Sequence, residues 1–217
     1  MKMKTLAAVV SGLALTAMFS CGKDDNTDNT TQPLQTLTAS NIVADTILGI
    51  APSGQPFGSG KFTFFSLEQN KVVPSSDSAT NKWDIGFRGT TIITNSGNSG
   101  PGQGGGFVFV GLFDDLATIP ADSSFRVDNA PSSYAITSGS NRGWYVYNGA
   151  TNLVTPIPGR VLVIRTATGK YAKVEILNYY RGGVTPDVSA SDDTKLRNQR
   201  FYTFRFRFQP DGSKDFK

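Results

Sequence analysis

One stretch, Gly159–Tyr180, restricts the fold more than any other part of this sequence. Its first half, residues 160–166, is apolar on both faces for most of its length, which is typical of a strand inside a packed sheet. Its second half, residues 171–176, alternates apolar and charged side chains, which predicts one buried face and one half-exposed face that carries Lys173. Between the halves, Gly169 can adopt the positive φ that a tight turn often needs. The stretch therefore predicts a β-hairpin in the middle of a sheet.

Short segments rich in β-branched and aromatic residues predict further strands on both sides of this hairpin. They lie at residues 61–67, 71–73, 82–88, 107–110, 143–148 and 200–209. In the last segment, aromatic residues alternate with Thr203, Arg205 and Arg207, which predicts an aromatic row facing the core and a solvated back. The only plausible helical turn is Asp114–Thr118, and residues 181–199 are expected to form a long exposed connection. With 23 Gly and 11 Pro, the sequence predicts an all-β fold, a single antiparallel-rich β domain with little or no helix.

The first residues have the pattern of a secretory leader. Lys2 and Lys4 precede an apolar run over residues 6–19, which is too short to be a comfortable membrane span. A small residue, Ser20, then stands directly before Cys21, as in a bacterial lipobox. We therefore expect residues 1–20 to be a lipoprotein signal peptide and Cys21 to be lipidated, although an ordinary leader followed by an incidental cysteine is the alternative. Two or three acyl chains would form a stable membrane anchor.

The sequence divides into four expected parts. After the signal peptide, residues 21–35 would form the lipidated cysteine and a polar, disordered tether. Residues 36–209 would form the β domain, and residues 210–217 a C-terminal tail. The short basic-then-acidic run at residues 23–25 is similar to a signal for surface display, so an outer-membrane location facing the cell exterior is expected.

The small net charge and the scarcity of His, Met and Cys exclude several classes of function. Without the leader, 19 basic and 17 acidic residues remain, so no electrostatic footprint for nucleic acid is present. The chain has no His, its three Met all lie within the first 18 residues, and its single Cys is Cys21. The sequence therefore predicts no metal site built from imidazole, thiolate or thioether ligands and no His-dependent catalytic triad.

Several segments, in this order and spacing, resemble the HmuY family of bacterial haem-binding lipoproteins. They are the Cys21 junction, KFTFFSL…KVV at 61–73, NKWDIGFR at 81–88, GQGGGFVF at 102–109, ATIPAD at 117–122, RGWYVY at 142–147 and the hairpin. The resemblance implies an all-β, single-domain lipoprotein of the outer membrane. It also implies capture of haem for iron acquisition and its delivery to an outer-membrane receptor of the TonB-dependent kind.

The resemblance also directs attention to the residues around the predicted strand at 143–148, which begins with Gly143 and Trp144 and is called the GW strand below. Family members that bind haem through two His take one from the loops before this strand and one just after it. This sequence has Asn148 after the strand and neither His nor Met in the loop before it. Tyrosine is the leading remaining side-chain ligand for haem iron, so Tyr145 and Tyr147 beside that position, and Tyr134 in the loop, are candidate ligands. Trp144 and Asn148 complete the candidate ligand-binding set, and each of the aromatic residues could instead be an ordinary sheet aromatic.

Two other kinds of function were considered: binding of a different ligand, which stays open, and catalysis, which fits the residues less well. A non-enzymatic module for another ligand, such as a glycan or siderophore, could use Trp144, Tyr145 and Tyr147 as stacking surfaces. An enzyme without His or a free Cys would need paired carboxylates, and neither Glu68 nor Glu175 is in such a context, so we assign no catalytic residue. We interpret Asp84 as a turn residue or a cross-strand partner of Arg88. The Gly-rich run at 96–106 leads into a strand, which argues against a nucleotide loop.

Overall fold

A computed structural model describes residues 34–53 and 55–217 of the chain. The expected signal peptide, Cys21 and nearly all of the expected tether lie outside these residues. The strands are β1 (Thr36–Val43), β2 (Gly49–Ile50), β3 (Pro56–Phe57), β4 (Thr63–Ser66), β5 (Lys71–Val73), β6 (Ile85–Arg88), β7 (Thr91–Thr94), β8 (Gly105–Val110), β9 (Tyr145–Asn148), β10 (Leu153–Pro156), β11 (Arg160–Arg165), β12 (Tyr171–Tyr180) and β13 (Gln199–Gln209). One α-helix, α1, spans Asp192–Asn198, and single 3-10 turns lie at Ser75–Asp77 and Arg181–Gly183.

Two main antiparallel sheets organise the described residues. A five-stranded sheet has the order β1-β13-β12-β11-β8, and a four-stranded sheet has the order β5-β4-β6-β7. The pairs β9–β10 and β2–β3 form two small additional sheets. The predicted hairpin is β11–β12, and β11 lies between β12 and β8, so its predicted place inside a sheet is confirmed. The predicted all-β, antiparallel fold with little helix is confirmed as well.

The two main sheets pack face to face over an aromatic core. The ring of Phe65 on β4 lies 5.2 Å from that of Phe204 on β13, and Phe87 on β6 lies 5.4 Å from the same ring. Both Phe204 and Phe206 are fully buried, which confirms the predicted core-facing row of β13. Large aromatic side chains supply much of the apolar area that such a core removes from water.

The outer face of the five-stranded sheet is also covered, and this overturns the prediction for Lys173. Lys173 is only 1% exposed, because Phe113 and Phe216 close over it. Its ammonium group donates to the backbone carbonyls of Phe113 (2.7 Å) and Leu116 (2.8 Å). Burial lowers the pKa of Lys173 to about 8. The cover comes from irregular chain, residues 111–119 and 214–217, which strand periodicity does not reveal.

The predicted solvated back of β13 is only partly correct, because the same cover leaves Arg205 and Arg207 half-buried. Arg205 donates to Glu175 on β12 at 2.6 Å and lies 3.3 Å from Asp114. Arg207 donates to the carbonyl of Phe216 at 2.7 Å. Both guanidinium groups therefore fasten the irregular cover to the sheet.

Two predictions for irregular segments are also corrected. Residues 181–199 contain α1, where the hydroxyl of Ser191 accepts from the backbone N–H of Thr194 and so caps the helix. The predicted helical turn lies slightly before Asp114–Thr118, since the backbone N–H of Leu116 donates to the carbonyl of Leu112 at 3.3 Å, and Pro120 follows shortly after. β1 continues past Asn41, which lies in a bulge and has a φ of 56°.

Asp84 joins the two sheets and does not pair with Arg88. Its carboxylate accepts from the backbone N–H of Leu67 at 2.8 Å and from that of Ala167, in the β11–β12 turn, at 3.0 Å. Arg88 instead donates to the carbonyl of Gly60. Burial raises the pKa of Asp84, which sits almost completely inside the protein. The role of Asp84 is therefore structural.

Asn95 fixes the Gly-rich segment that follows β7. Its side-chain amide donates to the carbonyls of Thr80 (2.9 Å) and Trp83 (2.8 Å), and its carbonyl oxygen accepts from Gly102 N–H (2.8 Å). A Cβ on Gly104 would lie 2.5 Å from the backbone oxygen of Asn95, so only glycine fits there. The segment is a close-packed connection between strands.

Candidate functional site

An open cleft of about 560 Å³ lies at one end of the sandwich. The β6–β7 turn, the β9–β10 pair, α1 and the start of β13 meet there. Its volume is within the range of small-molecule sites, about 300–1,000 Å³. The residues that matter most for its chemistry are Thr90, Tyr147, Asn152, Tyr179, Asp192 and Arg200.

Buried aromatic side chains hold the floor of the cleft in place. Trp144 donates from its indole N–H to the carbonyl of Thr90 at 3.0 Å, and the Thr90 hydroxyl donates to Tyr145 at 3.2 Å. Tyr202 donates to the carbonyl of Gly89 at 2.9 Å. The rings of Trp144 and Tyr202 also contact each other, with centroids 5.1 Å apart. The β6–β7 turn is therefore fixed by three hydrogen bonds from a rigid aromatic cluster.

One wall of the cleft carries a half-exposed phenol. Tyr147 on β9 is 48% exposed, and its hydroxyl donates to the side-chain oxygen of Asn152 at 2.8 Å. The amide of Asn152 donates in turn to Asp192 at 3.0 Å. This chain links the β9–β10 turn to the first residue of α1, so it holds Tyr147 against the helix.

The opposite side of the cleft is basic. Arg200 has a positive φ of 70° and donates to the backbone carbonyl of Asp45 at 2.8 Å. Its guanidinium also lies 3.9 Å from the Asp45 carboxylate. Burial opposes ionisation of Asp45, but hydrogen bonds from Ser59 and Gly60 outweigh it and lower the pKa of this carboxyl. The ion pair keeps Arg200 in place at the edge of the cleft.

Tyr179 lies in the cleft wall but cannot easily ionise. It is 2% exposed, and burial raises its pKa above the usual range of a phenol. Its hydroxyl therefore stays protonated at neutral pH. Among the phenols that line the cleft, Tyr147 is the accessible one.

The structure separates the candidate residues found in the sequence. Tyr147 lines the cleft, whereas Trp144 and Tyr145 lie beneath its floor at 2% and 8% exposure. Asn148 is the last residue of β9, and its side chain accepts from two backbone N–H groups of the β9–β10 turn. Tyr134 lies in a different groove on the outer face of the four-stranded sheet.

Sequence reasoning did not find the other half of the cleft. Asn152, Asp192 and Arg200 come from a turn, a helix and the start of a strand that the residue pattern left unconnected. One signal was available: Ser191 followed by two aspartates is typical of a helix N-terminus and could have predicted α1. No pattern predicted the positive φ of Arg200, since Arg rarely adopts it.

Neither a metal cluster nor a membrane span is found in the described part of the chain. No group of three or more His, Cys, Asp or Glu side chains converges within residues 34–53 and 55–217. In the same residues, no helix is long and apolar enough to cross a bilayer.

The fold and its cleft define an all-β sandwich domain that is open at one end. The family model of the HmuY protein matches residues 59–190, which is more than half of the chain. The chain therefore belongs to the HmuY family, and the resemblance seen in the sequence is confirmed. No curated protein matches it.

The chain is also similar to three solved structures. One, from Bacteroides vulgatus and described as HmuY-like and heme-binding, is 15% identical with a TM-score of 0.45, over 79% of this chain and 90% of that one. An apo HmuY analog from Tannerella forsythia is 16% identical with a TM-score of 0.43, over 82% and 96%. A protein from Bacteroides fragilis described as a lipoprotein is 12% identical with a TM-score of 0.41, over 67% and 82%.

Proposed function

We propose that this chain is a non-enzymatic binding protein whose ligand is haem or a related porphyrin. Membership in the HmuY family supports the class of ligand. The observation that carries the proposal is the 560 Å³ cleft with the half-exposed Tyr147 in its wall. Haem capture at the cell surface would serve iron acquisition, and a TonB-dependent outer-membrane receptor would be the partner that accepts the haem.

The residues of the cleft fit such a ligand in a way that differs from ligation by His or Met. No His exists in the chain, and no Met occurs after Met18. A tyrosine phenolate has precedent as a haem ligand, and Tyr147 is the half-exposed phenol of the cleft wall. Arg200 is placed to pair with a carboxylate of the bound ligand. When bound, the haem iron would supply a Lewis-acidic site for the phenolate oxygen.

A titration with ferric haem tests this proposal. The purified mature chain should bind haem saturably, with a Soret band and charge-transfer bands typical of high-spin iron bound by tyrosinate. Tyr147→Phe should abolish that spectrum. Tyr134→Phe is the matched control, because it removes a phenol from the separate groove, and its spectrum should equal that of wild type.

Two outcomes would contradict the assignment. Saturable binding with an unchanged spectrum in Tyr147→Phe would mean that another group holds the iron or that only the macrocycle is bound. No saturable binding of ferric haem or of iron-free protoporphyrin would end the haem proposal.

A glycan or a siderophore is the second candidate ligand. The polar half of the cleft favours it, since Gln55, Asn152 and Gln199 offer amide groups along the rim. Trp144 and Tyr145 are buried, so Tyr147 is the ring that could stack on a sugar. Calorimetric titration with host glycans and ferric siderophores would detect this activity, and haem binding with no response to these compounds would exclude it.

We further propose that residues 1–20 are removed, that Cys21 carries the lipid, and that the protein is anchored in the outer membrane facing the exterior. Residues 21–35 would then be the tether, residues 36–209 the β domain and residues 210–217 its tail. Mass spectrometry of membrane-extracted protein should show an acylated Cys21 at the N-terminus. Protease treatment of intact cells should remove the domain. Membrane attachment that survives in Cys21→Ser would contradict the anchor.

A further inference from the structure

A second, separate groove of about 360 Å³ lies on the outer face of the four-stranded sheet. One side is formed by Phe62 and Phe64 from the β4 region and by Ile93 on β7. The other side is formed by Pro131 and Tyr134 from the long segment before β9. None of the residues that line the cleft lines this groove. Aromatic and aliphatic side chains thus form both of its sides, and it is separate from the cleft.

Hydrogen bonds hold the two sides of the groove at a fixed separation. The side chain of Asn98 donates to the carbonyl of Ala130 and accepts from its N–H, both at 2.7 Å. The buried carboxylate of Asp128 accepts from Thr94 N–H at 2.8 Å and from Ala135 N–H at 2.7 Å. The segment with Pro131 and Tyr134 is thus tied to β7 and to the loop after it. A groove formed in advance in this way costs a ligand little ordering free energy.

One cation lies at the edge of the groove. The guanidinium of Arg88 stacks on the ring of Phe62 at 4.3 Å and donates to the carbonyl of Gly60 at 3.2 Å. Among the described residues, no carboxylate lies within salt-bridge distance of Arg88, and it is the single basic residue that lines the groove. A guanidinium has five N–H donors, so most remain for another partner.

We propose that this groove binds a small molecule that joins a flat apolar ring system to one carboxylate. The ring would lie between Phe64 and Tyr134, and the carboxylate would accept from Arg88 in the forked geometry that guanidinium groups favour. The hydroxyl of Tyr134 makes no hydrogen bond within the described residues and is a second donor for the acid. A phosphate ester or a polyanion fits less well, because a single cation neutralises a single charge.

The test compares a bicyclic acid with its uncharged isostere. Titration calorimetry of the mature chain with 1-naphthylacetate should show one saturable site, and 1-naphthylacetamide should bind about tenfold more weakly. In Arg88→Gln the two compounds should bind within about twofold of each other. Arg181→Gln is the matched control, because Arg181 also stacks on an aromatic ring, Phe201, at 4.1 Å but lies outside the groove, and it should keep the wild-type preference.

A second variant separates the contribution of the apolar wall to the affinity from that of the charge. Tyr134→Ala removes one wall and the second donor, so it should weaken binding of both compounds, while the part of the preference for the acid that Arg88 supplies persists. Equal affinities for acid and amide in the wild-type chain would overturn the proposal, as would the absence of saturable binding. Displacement of the acid by haem would show one shared site and also overturn it. Haem binding without such displacement leaves both proposals standing, so the failure of one is distinguishable from the failure of the other.

Discussion

Raising the pH from neutral should stabilise this domain, because the buried Lys173 then loses its proton more readily in the folded chain. The pKa of Lys173 falls from 10.5 to about 8, first through burial and then through the nearby charge of Arg207. Between these two values the unfolded chain binds more protons than the folded chain, so the free energy of unfolding rises with pH. Below about pH 8 the folded chain carries the full cost of the buried charge.

The size of the effect follows from the two pKa values of Lys173. Linkage gives a rise of about 2 kcal/mol in the free energy of unfolding between about pH 7 and about pH 9.5. Above about pH 10 the buried phenols act in the opposite direction. Burial raises the pKa of Tyr179, Tyr180 and Tyr202, so the folded chain keeps those protons longer and stability falls there. The pH range in which Lys173 dominates the change in the free energy of unfolding therefore ends near pH 9.5.

Urea unfolding across that window, compared between wild type and Lys173→Met, isolates the contribution of Lys173. Other groups titrate equally in both proteins, so the difference between the two curves should contain the rise of about 2 kcal/mol. Lys71→Met removes an exposed lysine on β5 and should keep the wild-type pH dependence. Equal slopes for wild type and Lys173→Met would refute the reasoning, since Lys173 would then not be held as a buried charge.

Four further substitutions test the packing. Val163→Asp should cost about 4 kcal/mol or more in urea unfolding, because it places an unpaired charge at a fully buried position of β11. Arg207→Ser should cost only about 1–2 kcal/mol, since it loses the bond to Phe216, and similar midpoints for these two variants would contradict the assignment of faces. Asn95→Ala should cost about 2–3 kcal/mol in the same assay, because one buried and two half-buried backbone groups lose a partner. An unchanged midpoint would mean that the Gly-rich segment keeps its conformation without Asn95. Ser191→Ala should cost about 1 kcal/mol and speed hydrogen exchange in α1 alone, and unchanged exchange there would show that the cap is dispensable.

The strands could be predicted from the sequence because their side chains alternate with a period of two. The hairpin at residues 160–180 and the aromatic row of β13 both follow from this period. The incorrect predictions concern which faces of the strands are covered by other parts of the chain. Lys173 was expected on a half-exposed face, but irregular chain around Phe113 and Phe216 covers that face, and irregular chain has no periodic pattern to read.

The candidate site was predictable only in part, and for a related reason. Tyr147 was found through resemblance to a family, because it lies beside the position where relatives carry a ligand. Arg200 and Asp192 are distant from it in the sequence, and only the antiparallel return of β13 and the placement of α1 bring them to the same cleft. Trp144 and Tyr145 were expected to contact a ligand, yet they are buried beneath the floor of the cleft. A large aromatic side chain on a strand can face either the core or a ligand, and the sequence pattern does not distinguish the two.

The carboxylate of Asp84 has a consequence for how this domain can diversify. It joins the end of β4, the start of β6 and the β11–β12 turn, whereas the cleft lies where β6 and β12 end and β13 begins. The two sheets are thus tied at the end away from the cleft. Turns at the cleft end can change length and residues without loosening this tie. A lineage could therefore exchange the side chains that line the cleft while the same sandwich continues to fold.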